Sequence, residues 1–378
     1  VERRIMIHPR LRLVFWELTR GCNLRCVHCR AAAELQRSPD ELVLEECRTV
    51  VDSIASAGSP ILVLTGGEPL YRPDVYDIAA HAASRGLRVA VASNGTLMTD
   101  DAAARLKASG VVRVSISLDG VTADTHDGFR GQSGAFEAAR RGMEAVRRAG
   151  LSLQVNTTVV NRNVDQLPAI YDAVAGWGAD AWHLFMLVPV GCGLEVAPSE
   201  QLGADTYERI LHWIYTRARE GRMEMRATCA PHYYRVIAQR APLDGLPVTD
   251  VPPHRPHGPA GPGGLASMTR GCLAGTGVCF ISYRGEVQPC GYLPISAGNV
   301  RRTPFKAIWE EGDLWRSFRD PRALEGKCGA CEYKVLCGGC RARAYGMTGN
   351  YLGEEPFCVY EPPNWQRPCP IRPAEVAS

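Results

Sequence analysis

The stretch Leu11-Arg-Leu-Val-Phe-Trp-Glu-Leu-Thr-Arg-Gly-Cys-Asn-Leu-Arg-Cys-Val-His-Cys-Arg30 runs an apolar, strand-like segment straight into three cysteines. Cys22, Cys26 and Cys29 have the spacing C-x3-C-x2-C, which supplies three thiolates and not four. A cubane [4Fe–4S] cluster has four irons and each takes a ligand, so three cysteines leave one iron open to a small molecule. An open iron does chemistry, whereas a fully ligated cluster mostly moves electrons. A structural zinc site is the other reading of such a loop, but zinc wants a fourth Cys or His at matching spacing. His28 lies too close to Cys29 to serve easily.

Beyond the loop, short β-rich runs alternate with Ala-rich amphipathic stretches. The strand candidates are 12–18, 61–65, 87–92, 111–118, 151–160 and 181–188. The helical candidates are 41–57, 74–85, 100–109, 134–149, 165–176 and 204–219. Six β-then-α units mean parallel strands with helical crossovers, and near-continuous apolar strands fit a sheet buried on both faces. Six units are too few for a closed eight-fold barrel. An α/β fold with an open, partial (β/α)6 barrel of TIM type is therefore expected over 12–219, with function gathered at the carboxyl ends of its strands. Residues 220–265 read as a bridging segment whose Pro/Gly-rich part, 251–265, is a linker or cover loop. From 266 to 365 the texture is rich in Cys and Gly with little helical period until Phe305, which suits a small domain held together by metal sites.

The 378 residues are 46% hydrophobic and 22% charged, ordinary for a globular protein, and the formal net charge of +3 makes no electrostatic case for nucleic acid. The longest apolar runs fall far short of a membrane span, and no basic-apolar leader opens the sequence, so a cytoplasmic address is the expectation. In that compartment fifteen cysteines argue against a disulfide framework. They are also clustered. Three lie at 22–29 and eight between 272 and 358, while Cys47, Cys192, Cys229 and Cys369 are scattered.

The cysteine loop, with Gly66-Gly67-Glu68-Pro69 at the end of the second strand, resembles the radical S-adenosylmethionine (SAM) enzymes over residues 12–215. The resemblance implies that SAM binds the open iron and is cleaved to a deoxyadenosyl radical that takes a hydrogen from substrate. It also implies roles for single residues. His28 would lie near the adenine, and Gly66, Gly67, Glu68 and Pro69 would hold the methionine amino group, glycines allowing close approach and a carboxylate meeting an ammonium. Ser93 and Asn94 at the end of strand three, and Ser117 and Asp119 at the end of strand four, stand where ribose and carboxylate contacts occur in relatives. Arg130 would bind the SAM carboxylate, and Asn156 would face the cofactor.

The C-terminal pattern Cys272-x6-Cys279-x10-Cys290, then Cys328-x2-Cys331-x5-Cys337-x2-Cys340 and Cys358, resembles the SPASM extension that carries auxiliary iron–sulfur clusters. It departs in one spacing, two residues instead of three between Cys337 and Cys340. The resemblance implies one or two auxiliary [4Fe–4S] clusters, one on Cys272, Cys279, Cys290 and Cys340, the other on Cys328, Cys331, Cys337 and Cys358. Cys279 is the weakest member of the first set. Zinc is the alternative for the C-x2-C pairs.

The segments 227–235, 269–279, 285–292 and 337–345 resemble the family of SAM-dependent heme synthases, whose relatives act on siroheme and in heme d1 synthesis. This implies oxidative decarboxylation of two propionates of Fe-coproporphyrin III to vinyl groups, giving protoheme, with a reduced ferredoxin or flavodoxin-like protein as electron donor and an auxiliary cluster as electron exit. Propionates want arginines and a flat macrocycle wants aromatic walls and an axial His. His232, Tyr233, Tyr234 and Arg235 supply these types in one segment. A peptide-modifying SPASM enzyme and a non-enzymatic electron carrier are the competing readings; a carrier leaves the pairing of three cysteines with GGEP without a reason.

Overall fold

The computed structural model describes residues 10–246, 271–363 and 365. The Pro/Gly-rich 251–265 stretch, Thr269 and Cys369 lie outside the described residues. The barrel runs β1 (Leu13–Glu17), α1 (Leu44–Ser56), β2 (Ile61–Thr65), α2 (Val75–Ser84), β3 (Arg88–Ser93), α3 (Asp100–Ala108) and β4 (Val111–Ser117). It continues through α4 (Ala123–Arg130), α5 (Ala135–Arg148), β5 (Ser152–Val159), α6 (Leu167–Gly176), β6 (Ala181–Met186), α7 (Gly193–Glu200), α8 (Ala204–Ala218), β7 (Glu224–Thr228) and α9 (Tyr233–Leu243). The Cys-rich part adds β8 (Val278–Ile281), β9 (Glu286–Gln288), β10 (Gly298–Asn299), α10 (Phe305–Glu311), α11 (Leu314–Arg319), α12 (Gly326–Ala330) and α13 (Arg341–Thr348).

All six expected strands form, and they pair in parallel in sequence order. A seventh strand, β7, extends the parallel run beside β6, within the segment expected to bridge the two parts. On the other edge β8 pairs in parallel with β1, Leu13 opposite Val278 and Trp16 opposite Ile281, so one ten-stranded sheet spans both parts of the chain.

Because side chains alternate across a strand, each strand divides into two sets. Val14, Trp16, Leu62, Leu64, Val89, Val91, Val114, Ile116, Leu153, Val155 and Leu184 enter the core beneath the helices. Their neighbours Leu13, Phe15, Ile61, Val63, Ala90, Arg113, Ser115, Gln154, Asn156 and His183 face inward and line one cavity. The helices stop and start by local chemistry. Thr99 caps α3, its Oγ1 accepting from Ala102 N at 3.1 Å, and Thr122 caps α4, which ends on Gly131 in the left-handed conformation (φ 68°). Among the described residues no helix is long and apolar enough to cross a membrane.

Candidate active site

The cysteine loop leaves β1 and is fastened to the end of β2 by backbone bonds, Gly67 N to Thr19 O (2.7 Å) and Glu68 N to Gly21 O (2.9 Å). That contact explains the glycines. A Cβ on Gly66 would stand 2.7 Å from Thr19 O, and one on Gly67 would stand 2.4 Å from Gly21 O. Fully buried Arg72 holds the same corner from behind, donating to Leu18 O at 3.0 Å and to Asp74.

Cys22, Cys26 and Cys29 all open onto the cavity, which has a volume of about 480 Å³. Each sulfur receives a nitrogen donor: Leu24 N (3.4 Å) and Asn94 Nδ2 (3.7 Å) reach Cys22, Arg130 Nη1 (3.8 Å) reaches Cys26, and Ala33 N (3.5 Å) reaches Cys29. Soft sulfur donors, each supported by an N–H group, suit an iron–sulfur cluster. Burial pushes the Cys22 thiol up to about 12, and it raises Cys26 against the pull of Arg130. Cys22 and Cys26 therefore keep their protons at neutral pH until a metal displaces them. Among the described residues, no three His, Cys, Asp or Glu side chains stand close enough to hold a single metal ion.

Gly66, Gly67, Ser93, Asn94, Ser117, Arg130 and Asn156 line the cavity beside these cysteines, as does His28. The His28 ring stacks on Phe129 with centroids 3.8 Å apart, and burial drives its pKa well down, so it presents a neutral, flat face. Arg130, at the end of α4, pairs with Asp119, which is fully buried and also accepts from Thr158 N at 2.7 Å. Burial opposes the guanidinium charge of Arg130, but Asp119 and Cys26 outweigh it and raise its pKa.

Glu68, Pro69 and Asp119 are brought to the site but stand behind its wall. The Glu68 carboxylate accepts from Asn94 N (2.7 Å), Ser93 Oγ (2.9 Å) and Leu70 N (3.1 Å), so it ties the end of β2 to the end of β3. Burial lifts its pKa to about 7. Gly66 and Gly67 face the cavity, while the Glu68 side chain is turned to the ends of β2 and β3.

The cavity continues down the barrel to a polar floor that sequence reading missed. Arg226 Nε lies 2.6 Å from Glu224 Oε1, Arg113 Nη1 lies 3.5 Å from Glu224 Oε2, and Gln154 Nε2 lies 3.1 Å from His183 Nδ1. Burial works against the Glu224 carboxylate, yet Arg226, His183 and Arg113 together hold it near 2, while burial holds His183 near 3. Since the Gln154 amide donates to Nδ1, the neutral ring carries its proton on Nε2, a buried atom with no hydrogen-bond partner. The available signal was a period of two in polar residues: Arg113/Ser115/Ser117, Gln154/Asn156/Thr158 and Glu224/Arg226/Thr228.

Of the segment 232–235, Tyr233 and Tyr234 line the cavity, whereas His232 and Arg235 do not. Arg235 turns to Glu208 and Gln239 on the far side of α9, its Nη2 2.6 Å from Glu208 Oε2. Both residues instead line a second, small cavity with Cys328, Cys331, Cys337 and Cys358, one of the two expected sulfur sets. There Glu355 N donates to Cys328 Sγ (3.3 Å) and Gly339 N to Cys337 Sγ (3.4 Å).

The other expected set is split. Cys272, Cys290 and Cys340 face the main cavity, but Cys279 does not. On β8, Val278 and Phe280 point inward, so alternation sends Cys279 through the sheet into the main core, fully buried.

This barrel, its three-cysteine loop and the cavity between them define a radical SAM enzyme, and the chain belongs to the radical SAM superfamily, whose profile matches residues 16–174. The profile of the SPASM iron-sulfur cluster-binding domain matches residues 272–332. The chain is 49% identical to the AdoMet-dependent heme synthase of Methanosarcina barkeri, over 93% of this chain and 97% of that protein. It is 47% identical to the AdoMet-dependent heme synthase of Nitratidesulfovibrio vulgaris, over 94% of both. The fold matches the crystal structure of Streptococcus suis SuiB bound to S-adenosylmethionine, with a TM-score of 0.70 at 14% identity, covering 94% of this chain and 78% of that one. The protein is an enzyme that uses a [4Fe–4S] cluster with SAM and carries auxiliary iron–sulfur in its C-terminal part.

Proposed function

We propose that this enzyme oxidatively decarboxylates two propionate side chains of Fe-coproporphyrin III to vinyl groups, giving protoheme. The observation that carries the reading is the composition of the cavity wall: five arginines, Arg12, Arg30, Arg113, Arg130 and Arg226, set among Phe15, Phe185, Phe280, Tyr233, Tyr234 and Tyr292. Its size falls in the range of small-molecule sites. A tetrapyrrole with several carboxylates asks for that combination of flat apolar walls and guanidinium forks.

Cys22, Cys26 and Cys29 hold the first cluster, and Gly66, Gly67, Ser93, Asn94, Ser117, Arg130 and Asn156 surround the SAM beside it. When bound, the cluster and SAM supply one-electron, hydrogen-abstracting chemistry. Each propionate gives up one hydrogen atom, one carbon dioxide and one electron as it becomes a vinyl group. The chain's part is positioning. Arg130, fixed by Asp119, offers a guanidinium to the SAM carboxylate beside Cys26. The Nε2–H of His183 and the forks of Arg113 and Arg226 on the barrel floor hold a carboxylate of the substrate. Apolar walls exclude water from the reacting carbon. A reduced ferredoxin or flavodoxin-like protein supplies the electrons, and the C-terminal cysteines would hold auxiliary clusters that would offer surplus electrons an exit.

The test is anaerobic reconstitution with iron and sulfide, followed by SAM, dithionite and Fe-coproporphyrin III. Mass spectrometry is expected to find the product lighter by two carboxyl groups and two hydrogens. Deoxyadenosine release with the porphyrin unchanged would assign the enzyme to another substrate.

A further inference from the structure

We propose that Cys229, just past the end of β7, is the fourth thiolate ligand of the auxiliary cluster held by Cys272, Cys290 and Cys340, and that Cys279 is not a ligand. The proposal rests on the cluster-binding character of the C-terminal part and is independent of the substrate.

The placement of sulfur atoms carries it. Cys340 belongs to a small apolar cluster with Val188, Ala274 and Leu293, and Cys229, Cys272 and Cys290 pack against that same cluster. All four face the main cavity. The Cys229 side chain packs against the same cluster that holds Cys340, so the two are neighbours. Cys279 sits on the opposite face of the sheet, in the core beneath the helices. Bringing it round would require β8 to slip by one residue against β1, which would send Phe280 into the core and turn buried Cys279 and Ile281 outward.

Four irons in a cubane each take a ligand, and after Cys272, Cys290 and Cys340 one remains. Cys229 is the sulfur at hand. Its backbone is fixed for the purpose: it is one of two non-glycine residues in the described chain with positive φ (57°), and its carbonyl accepts from buried Arg343 Nη2 at 2.7 Å. It lies more than forty positions before the cysteine array of the C-terminal part, which is why no spacing pattern contains it. Ligation by Cys229 would stitch the last barrel strand to the Cys-rich part through the metal.

The test uses full-length protein reconstituted anaerobically, as wild type and as Cys229→Ala, Cys229→Ser and Cys279→Ala. Iron and sulfide per chain are measured, and EPR spectra of the dithionite-reduced protein are recorded with excess SAM covering the open iron of the first cluster. Imidazole is then added as a probe for any other open iron. Cys279→Ala is expected to match wild type throughout. Cys229→Ala is expected to lose auxiliary iron or to show a shifted auxiliary signal that imidazole shifts again. Cys229→Ser keeps the shape of the site and decides the matter if the alanine variant fails to fold; its signal is expected to move, since oxygen replaces sulfur. An unchanged, imidazole-insensitive spectrum in both Cys229 variants, or a change confined to Cys279→Ala, would overturn the proposal. Wild-type protein with no iron beyond the first cluster would overturn the cluster-binding reading beneath it, a distinct result.

Discussion

Arg343 and Glu355 form an ion pair sealed from solvent, with Arg343 Nη1 3.0 and 3.1 Å from the two carboxylate oxygens. The pair is a clamp between the two parts of the chain. Arg343 also donates to the carbonyls of Leu187 (3.3 Å) and Cys229 (2.7 Å) at the ends of the barrel strands. Glu355 accepts from Cys340 N at 2.8 Å. Burial opposes both charges, but each holds the other ionised, so Glu355 is lowered and Arg343 raised.

Removing one member leaves the other charge buried without its partner. Glu355→Ala is expected to destabilise the fold by about 3–5 kcal/mol, whereas Arg343→Met with Glu355→Leu is expected to recover much of that loss. Anaerobic denaturant unfolding of wild type and the two variants checks it. A Glu355→Ala protein as stable as wild type would contradict the clamp.

Arg130 is expected to matter for SAM and not for cluster assembly. Arg130→Met should retain wild-type iron at the first cluster but weaken SAM binding about tenfold to a hundredfold, the span of a lost hydrogen bond to a charged group. Arg130→Lys should rescue little, because an ammonium cannot reach Asp119, Cys26 and a carboxylate together. Equilibrium SAM binding beside iron analysis separates the two effects.

The barrel floor gives a pH dependence with a definite sign. The folded pKa of His183, about 3, lies below the ordinary value near 6.5, so the unfolded chain binds the proton more readily between them. Stability contributed by the neutral ring is complete above about pH 6.5 and is lost as pH falls toward 3. Arg226, Arg113 and Gln154 face the ring and disfavour its charge, while Glu224 opposes them and itself loses stabilisation as pH falls toward 2. His183→Gln is expected to flatten the acid side of the stability profile between pH 6.5 and 5. An identical slope in both proteins would contradict this.

Much of the barrel is legible in the sequence because runs such as Ile61–Thr65 and Val111–Ser117 are short, β-branched and bounded by turns. β7 is not, because Glu224-Met-Arg-Ala-Thr228 carries two charges that read as surface until the cavity beside it is known. α4 hides for a similar reason: Ala123–Arg130 has no apolar period and is defined by its Thr122 cap and Gly131 stop. In the site, motif residues near the cysteine loop were readable because their spacing is set by backbone contact, as Gly67 against Gly21 demonstrates. The floor residues and Cys229 come from separate strands, and only pairing brings them together. His232 and Arg235 stand away from the main cavity because neighbours on a helix diverge: Tyr233 and Tyr234 take the face toward it, and the other two line the second cavity.

The second sulfur set offers a further separation of steps. Cys328→Ala with Cys331→Ala is expected to abolish vinyl formation while deoxyadenosine formation persists, since these cysteines lie in a cavity apart from the SAM side of the barrel. Quantifying both products in one reaction checks this, and full decarboxylation by the variant would exclude an electron exit there.

The most direct measurement follows one atom. Fe-coproporphyrin III deuterated at the propionate β-carbons is given to the reduced, reconstituted enzyme with SAM, and the released 5′-deoxyadenosine is weighed by mass spectrometry. Deuterium in the deoxyadenosine, together with a porphyrin lighter by two carboxyl groups, is the expected result. Unlabelled deoxyadenosine accompanying decarboxylated product, or no cleavage of SAM by protein with Cys22, Cys26 and Cys29 intact, would contradict it.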